Sequence, residues 1–265
     1  MSARPIITLL TDFGLSDHYV GAMKGVILGI CPGAQLVDLS HEVTPYAIAE
    51  AAYTISQYWN CFPETTVHLV VVDPGVGSER RPIAVEAAGH RFVAPDNGVL
   101  SMVYDDSANA PVWEINATQY YRQPVSRTFH GRDIFSPIAA QLARGVSAEE
   151  VGRRIDDYVR LPINRPEQIA PNQWRGTVLK VDRFGNVITN FASKDLPQLR
   201  TGQFRMAIGT ASISDLSDHY SGFTDSSPFV IRGSSGRLEI SVREKSASLL
   251  LVCKPGDPVF LEILS

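Results

Sequence analysis

His130 sits in the segment Thr128-Phe129-His130-Gly131-Arg132-Asp133, and an imidazole titrates near neutrality, so this one can take a proton from water at working pH or stay solvated beside its glycine. Asp12 and Asp17 fall within Thr11-Asp12-Phe13-Gly14-Leu15-Ser16-Asp17, between an apolar run and a helical pattern. A carboxylate there either binds a ligand or caps the helix. Asp73 ends the apolar run at 67–72 and opens Asp73-Pro74-Gly75-Val76-Gly77-Ser78-Glu79-Arg80-Arg81. Its glycines permit close backbone approach to a ligand, and the alternative is a Pro-Gly turn followed by an exposed arginine pair. Asp182, Phe184 and Asn186 lie in a hairpin pattern whose Asn and Gly suit the turn itself. Ser234 stands at the tip of another, Arg232-Gly233-Ser234-Ser235-Gly236.

The spacings exclude several chemistries. No lysine-serine pair follows the glycines after Asp73, so they form no phosphate loop, and GxG without a third glycine is a weak dinucleotide signal. The Asp-Phe-Gly triplet is shared with kinases but stands at residue 12, with no upstream lobe, Gly-rich loop or catalytic loop. His18, His41, His68, His90 and His219 make no HxH or HExxH spacing, so no metal site is expected.

To act on one ligand these residues must be carried to strand ends. Residues 6–10 and 35–39 read as strands on either side of a helix at 19–30, and 46–59 reads as a second helix with small residues on one side. The unbroken Val and Leu run at 67–72 suits a parallel strand buried on both faces. Strands at 83–86 and 92–94 precede a helix with Ser136 as N-cap, Pro137 at its first position and Gly145 as its stop, which leaves His130 in a loop. Ser147-Ala148-Glu149-Glu150 forms a capping box for one more short helix.

This pattern predicts an N-terminal three-layer α/β domain with a mostly parallel sheet over residues 1–160. Residues 161–172, proline-bearing and aperiodic, read as a linker, and 173–265 as a small all-β, barrel-like domain. Its strands are expected within 176–191, 204–214, 229–242 and 249–264.

The 265-residue chain is 44% apolar with a formal charge of −4 and no basic block. Disorder is thereby excluded, and a small molecule is expected as partner rather than nucleic acid or membrane. Cys31, Cys61 and Cys253 lie far apart and read as reduced core thiols. The apolar stretch ended by Thr11 and Asp12 is too short for a signal segment or membrane span, so the expected location is the cytoplasm.

Taken in order, TDFGLSD, VVDPGVGSERR, APDNG, TFHGRD and DRFGNVITNF make the chain resemble the S-adenosylmethionine hydroxide adenosyltransferase family, which is related to bacterial fluorinases and chlorinases. The resemblance spans nearly the whole chain. It implies hydrolysis of S-adenosylmethionine to adenosine and methionine, without a cofactor. It also implies a homotrimer whose sites lie where one subunit's first domain meets a neighbour's second. By motif, Asp73, His130 and Arg80, which lies seven positions after Asp73, match the residues that hold and activate water.

Asp12 matches the carboxylate that accepts the ribose hydroxyls, Asp17, Asp182 and Ser234 match positions near the methionine part, and Phe184 and Asn186 match the adenine side. Phe129 is counted with the substrate-binding residues. Arg243 falls out of register with the family's arginine and is not assigned. Fluorinases carry Tyr in place of Asp73, Trp in place of Ile188 and an insertion absent between Arg81 and Asp96, so the resemblance favours water over halide. The alternatives are halide-dependent synthesis of 5′-halo-5′-deoxyadenosine and a non-catalytic module that binds adenosine or S-adenosylmethionine.

Overall fold

A computed structural model describes residues 4–107, 109–162, 165–222 and 226–264. The chain divides into two compact units between Leu161 and Pro162. The expected linker, 161–172, contains a short strand, and its residues 163 and 164, like residues 1–3 at the N-terminus, lie outside the described residues.

In chain order the first unit contains β1 (Ile6–Thr11), α1 (Tyr19–Ile30), β2 (Gln35–Ser40), α2 (Ile48–Ser56), β3 (Val67–Val71), β4 (Pro82–Ala87) and β5 (His90–Pro95). There follow α3 (Ser101–Asp106), β6 (Val112–Ile115), α4 (Ser136–Ala143), α5 (Ala148–Val151) and β7 (Gly152–Ile155). Its sheet has the order β2-β1-β3-β5-β4-β6-β7. The half β2-β1-β3-β5 is parallel and the half from β5 to β7 antiparallel, because β4 returns to β5 through the tight turn at Ala88 and Gly89.

All five residues of β3 are buried, as a strand covered on both faces requires. On one face Ile7, Leu9 and Leu69 pack with Met23 and Ile27 of α1 and with Ile138 and Ala139 of α4. On the other, Leu10 and Val70 pack with Ala51 and Ile55 of α2 and Val103 of α3. Each large aliphatic side chain so enclosed contributes about 1.5–3 kcal/mol. His68 on β3 is enclosed with them, between Thr8 Oγ1 at 2.8 Å and His90 Nδ1 at 3.2 Å, and burial pushes its pKa down to about 3. It is a neutral core histidine.

The helix expected to start at Ser136 begins earlier. Residues Gly131–Phe135 form a π-helical turn that runs straight into α4, and Ser136 is already helical, so it caps nothing. Pro137 is tolerated inside this continuous helix because the backbone N–H of Arg122 donates to the Asp133 carbonyl, the acceptor that a proline four residues on cannot serve. His130 therefore sits at the mouth of a π turn rather than in an open loop, held by the helix behind it. The Ser147 capping box is present in both directions.

The second unit contains β8 (Glu167–Ala170), β9 (Gln173–Val181), β10 (Val187–Ala192), β11 (Phe204–Ile208), β12 (Ala211–Ile213), β13 (Leu216–Ser217), β14 (Phe229–Arg232), β15 (Arg237–Ser241), α6 (Ala247–Leu251) and β16 (Pro258–Ile263). They form a curled sheet, β12-β11-β16-β9-β10-β15-β14-β13, with β8 on β9. Phe191, Phe204, Met206, Ile240 and Leu261 meet in its core.

The strand expected over 249–264 is interrupted. Ser246 accepts the Leu249 N–H and caps α6, so only Pro258–Ile263 is extended. Nor are all three cysteines core thiols: Cys31 is buried, but Cys61 is exposed and Cys253 half-buried. No helix among the described residues is long and apolar enough to cross a membrane.

Candidate active site

Because β1 and β3 are parallel neighbours with Thr11 opposite Val71, the segments after them leave the same edge of the sheet side by side. Asp12 and Asp73 are thereby brought into each other's field. The Asp12 carboxyl is pushed above its ordinary value, by burial first and by the Asp73 charge as well, against the lowering effect of the Tyr46 N–H, which donates to its Oδ2 at 2.8 Å. Asp12 does not cap the helix that follows it, which has no side-chain cap. Asp17 caps nothing either, since α1 starts after His18 with no side-chain cap, and it is exposed.

Asp73 and Arg80 are paired, both side chains more than nine-tenths buried. Arg80 Nε donates to Oδ1 at 3.0 Å and Oδ2 at 2.8 Å, and its Nη2 donates to Oδ2 and, at 2.8 Å, to His130 Nδ1. The guanidinium also lies over the Phe135 ring, 5.1 Å from its centre, in the π turn below His130. Since an arginine only donates, Nδ1 of His130 accepts, and the neutral ring carries its proton on Nε2. Burial and then Arg80 hold His130 below the ordinary histidine value, while Asp73 and Asp133 pull the other way.

The two arginines after Gly77 point to different partners. Arg81 turns to Asp96, at 3.0 Å from Nε, and to Asp157, at 2.8 Å from Nη1, so the expected exposed pair does not exist. The APDNG motif thus has a supporting part: Asp96 holds Arg81, and Asn97 Nδ2 donates to the Val72 carbonyl at 2.9 Å, fixing the strand end that presents Asp73. Gly77, at φ +79°, sits where a Cβ would collide with the Arg127 carbonyl, which draws the Asp73 loop against the His130 loop.

Phe129 is buried. It meets Tyr19 with ring centres 5.1 Å apart and Phe13 at 6.2 Å, joining the Asp12 loop to the His130 turn.

In the second unit Asp182 is the clasp of its hairpin. Oδ1 accepts the N–H groups of Phe184 at 2.9 Å and Asn186 at 2.8 Å, and Oδ2 accepts Asn186 Nδ2 at 2.8 Å. With those bonds made, its part beside a ligand is chiefly to hold Asn186. Asp182, Phe184 and Asn186 line a cavity of about 550 Å³ with Tyr220, Arg243 and Ser246. Phe184 is 77% exposed and Asn186 buried, so an aromatic face and an amide are offered together.

Ser234 is exposed at its own hairpin tip and is not among that cavity's lining residues. Tyr220, Arg243 and Ser246 went unassigned from sequence, being brought in by the fold from distant loops. The glycine of DRFGN was the signal for Ser246, which a Cβ at Gly185 would strike.

Residues 7–152 match the S-adenosylmethionine hydroxide adenosyltransferase N-terminal domain, and residues 176–260 the C-terminal domain of the same name. A protein of Thermus thermophilus named (R)-S-adenosyl-L-methionine hydrolase is 37% identical, over 97% of this chain and 99% of its own. One of the same name from Salinispora arenicola is 34% identical over 97% of each. A fluorinase of Nocardia brasiliensis is 30% identical over 75% of each. A crystal structure of a conserved protein from Thermotoga maritima superposes with a TM-score of 0.87 at 37% identity, covering 96% of this chain and 99% of that one.

Proposed function

Because the chain belongs to the S-adenosylmethionine hydroxide adenosyltransferase family, we propose that it is a cytoplasmic enzyme that displaces methionine from the ribose of S-adenosylmethionine with water, giving adenosine and methionine. The observation that carries the choice of water is Arg80, which binds Asp73 and His130 at once. The buried Asp73 carboxylate, paired with Arg80 and with Asp12 in its field, offers hydrogen-bond acceptors suited to a water.

In this reading the water oxygen forms its bond to C5′ as the bond from C5′ to sulfur breaks, the electron pair going to the sulfonium, which departs as the neutral thioether of methionine. No acid is needed for that leaving group. What remains is the proton of the attacking water. Arg80 releases Nδ1 of His130 while staying on Asp73, Nδ1 takes the proton, and the imidazolium passes it to solvent. Asp12 receives the ribose hydroxyls, Phe184 and Asn186 receive adenine, Asp182 holds Asn186 in place, and Asp17, Ser234 and Phe129 complete the substrate contacts. The contributions of the second unit are proposed to come from a neighbouring copy in a homotrimer.

Turnover in water enriched in oxygen-18 tests the reaction. The label is expected in the 5′-hydroxyl of adenosine and not in methionine. Unlabelled adenosine, no turnover, or 5′-chloro-5′-deoxyadenosine on addition of chloride would each overturn it.

A further inference from the structure

His41 is buried, and both of its ring nitrogens are engaged. Nε2 lies 3.0 Å from Asp38 Oδ1, and Nδ1 lies 2.8 Å from Thr11 Oγ1. Burial would raise the Asp38 carboxyl, but its bonds to Lys24 and His41 outweigh this and hold it below the usual carboxylate value. The carboxylate can only accept, so His41 donates to it from Nε2, its Nδ1 shares a hydrogen bond with the Thr11 hydroxyl, and the Thr11 oxygen accepts the Phe13 N–H at 3.2 Å. On the far side the Gly14 N–H donates to the backbone carbonyl of His41 at 2.7 Å.

The two peptide groups immediately after Asp12 are therefore both tied to residue 41, one through Thr11 and one directly. The parallel pairing of β1 and β2 makes this possible by slipping at its end: Leu9 faces Asp38 but Leu10 faces Ser40, and the extra residue brings His41 over the Asp12 loop. Thr11 is fully buried and too enclosed to meet a ligand itself.

We infer that Thr11, His41 and Asp38 are positioning residues that set the Asp12 carboxylate for the vicinal hydroxyls of the ribose. The inference rests on the reading of Asp12 as the ribose acceptor. A loose Asp12 loop would still admit the nucleoside but would lose the two-point grip on its diol.

Calorimetric titration of the whole protein with adenosine and with 2′,3′-dideoxyadenosine tests this. The unaltered protein is expected to prefer adenosine by about tenfold or more. Thr11→Val, which keeps shape and removes the hydroxyl, is expected to weaken adenosine about tenfold and leave dideoxyadenosine within about twofold, while Thr11→Ser restores the preference. Asp38→Asn, at the exposed end of the series, should act in the same direction and serves if Thr11→Val does not fold.

Retention of the full preference in Thr11→Val and Asp38→Asn would overturn the inference. So would an equal weakening of both nucleosides, which marks a general structural role. If the unaltered protein binds both equally, the assignment of Asp12 fails, and the inference with it.

Discussion

At the scale of single residues, the proposed chemistry turns on the balance between Arg80 and His130. Nδ1 of His130 must be unprotonated to accept from Arg80, and burial together with that cation keeps its pKa below the ordinary 6.5. As pH falls through this lowered pKa the ring gains a proton, both nitrogens become donors, and the bond to Arg80 is lost. The expected kcat profile is flat through neutrality and falls on the acid side only below about 6.5; an acid limb above that value would contradict the assignment. His130→Ala should lower kcat by about 10²- to 10⁴-fold while adenosine affinity, which rests on other residues, is nearly unchanged. Rate measurement beside calorimetry separates the two.

At the scale of elements, the strand-end loops act through their contacts with one another. Gly77 has a left-handed φ and no room for a Cβ against the Arg127 carbonyl, so the loop bearing Asp73 and Arg80 can lie on the loop leading to His130. Gly77→Ala is expected to cost about 1–3 kcal/mol of stability and to lower kcat more than it changes adenosine binding. Thermal melts and steady-state rates would reveal this, and unchanged values for both would show that the contact does not matter. The π turn works similarly. It places Phe135 under Arg80 and His130 at its mouth, a spacing that the Ser136-Pro137 pair conceals, because in sequence they resemble a helix start.

At the scale of the molecule, the candidate site residues divide between the two units. The Asp73, Arg80 and His130 cluster belongs to the first and the cavity beside Phe184 and Asn186 to the second. If sites join the first unit of one copy to the second of another, co-expressing His130→Ala with Asn186→Ala should rebuild intact sites. Random mixing around a closed ring gives about one quarter of the unaltered activity. No recovery above the two separate variants would place every site within a single chain.

The sequence alone determined several of the elements and pointed to candidate site residues. Periodicity marked α1 at its observed bounds and the buried run of β3, because these reside in local composition and spacing, and the family resemblance of the ordered motifs selected Asp12, Asp73, Arg80 and His130. It could not separate Asp12 the cap from Asp12 the ligand, since both need a carboxylate before a helix. The structure removes only the cap, since α1 has no side-chain cap and Asp12 accepts instead from the Tyr46 N–H, 34 residues away.

Nor could it tell that neighbouring Arg80 and Arg81 serve different carboxylates, or that Asp182 spends its oxygens on its own hairpin. His41 was one unremarked histidine among several until parallel pairing set β2 beside β1. Hydrogen-bond partners far apart in the chain meet only through sheet order and register, and that is why the wiring of the site became visible only in three dimensions.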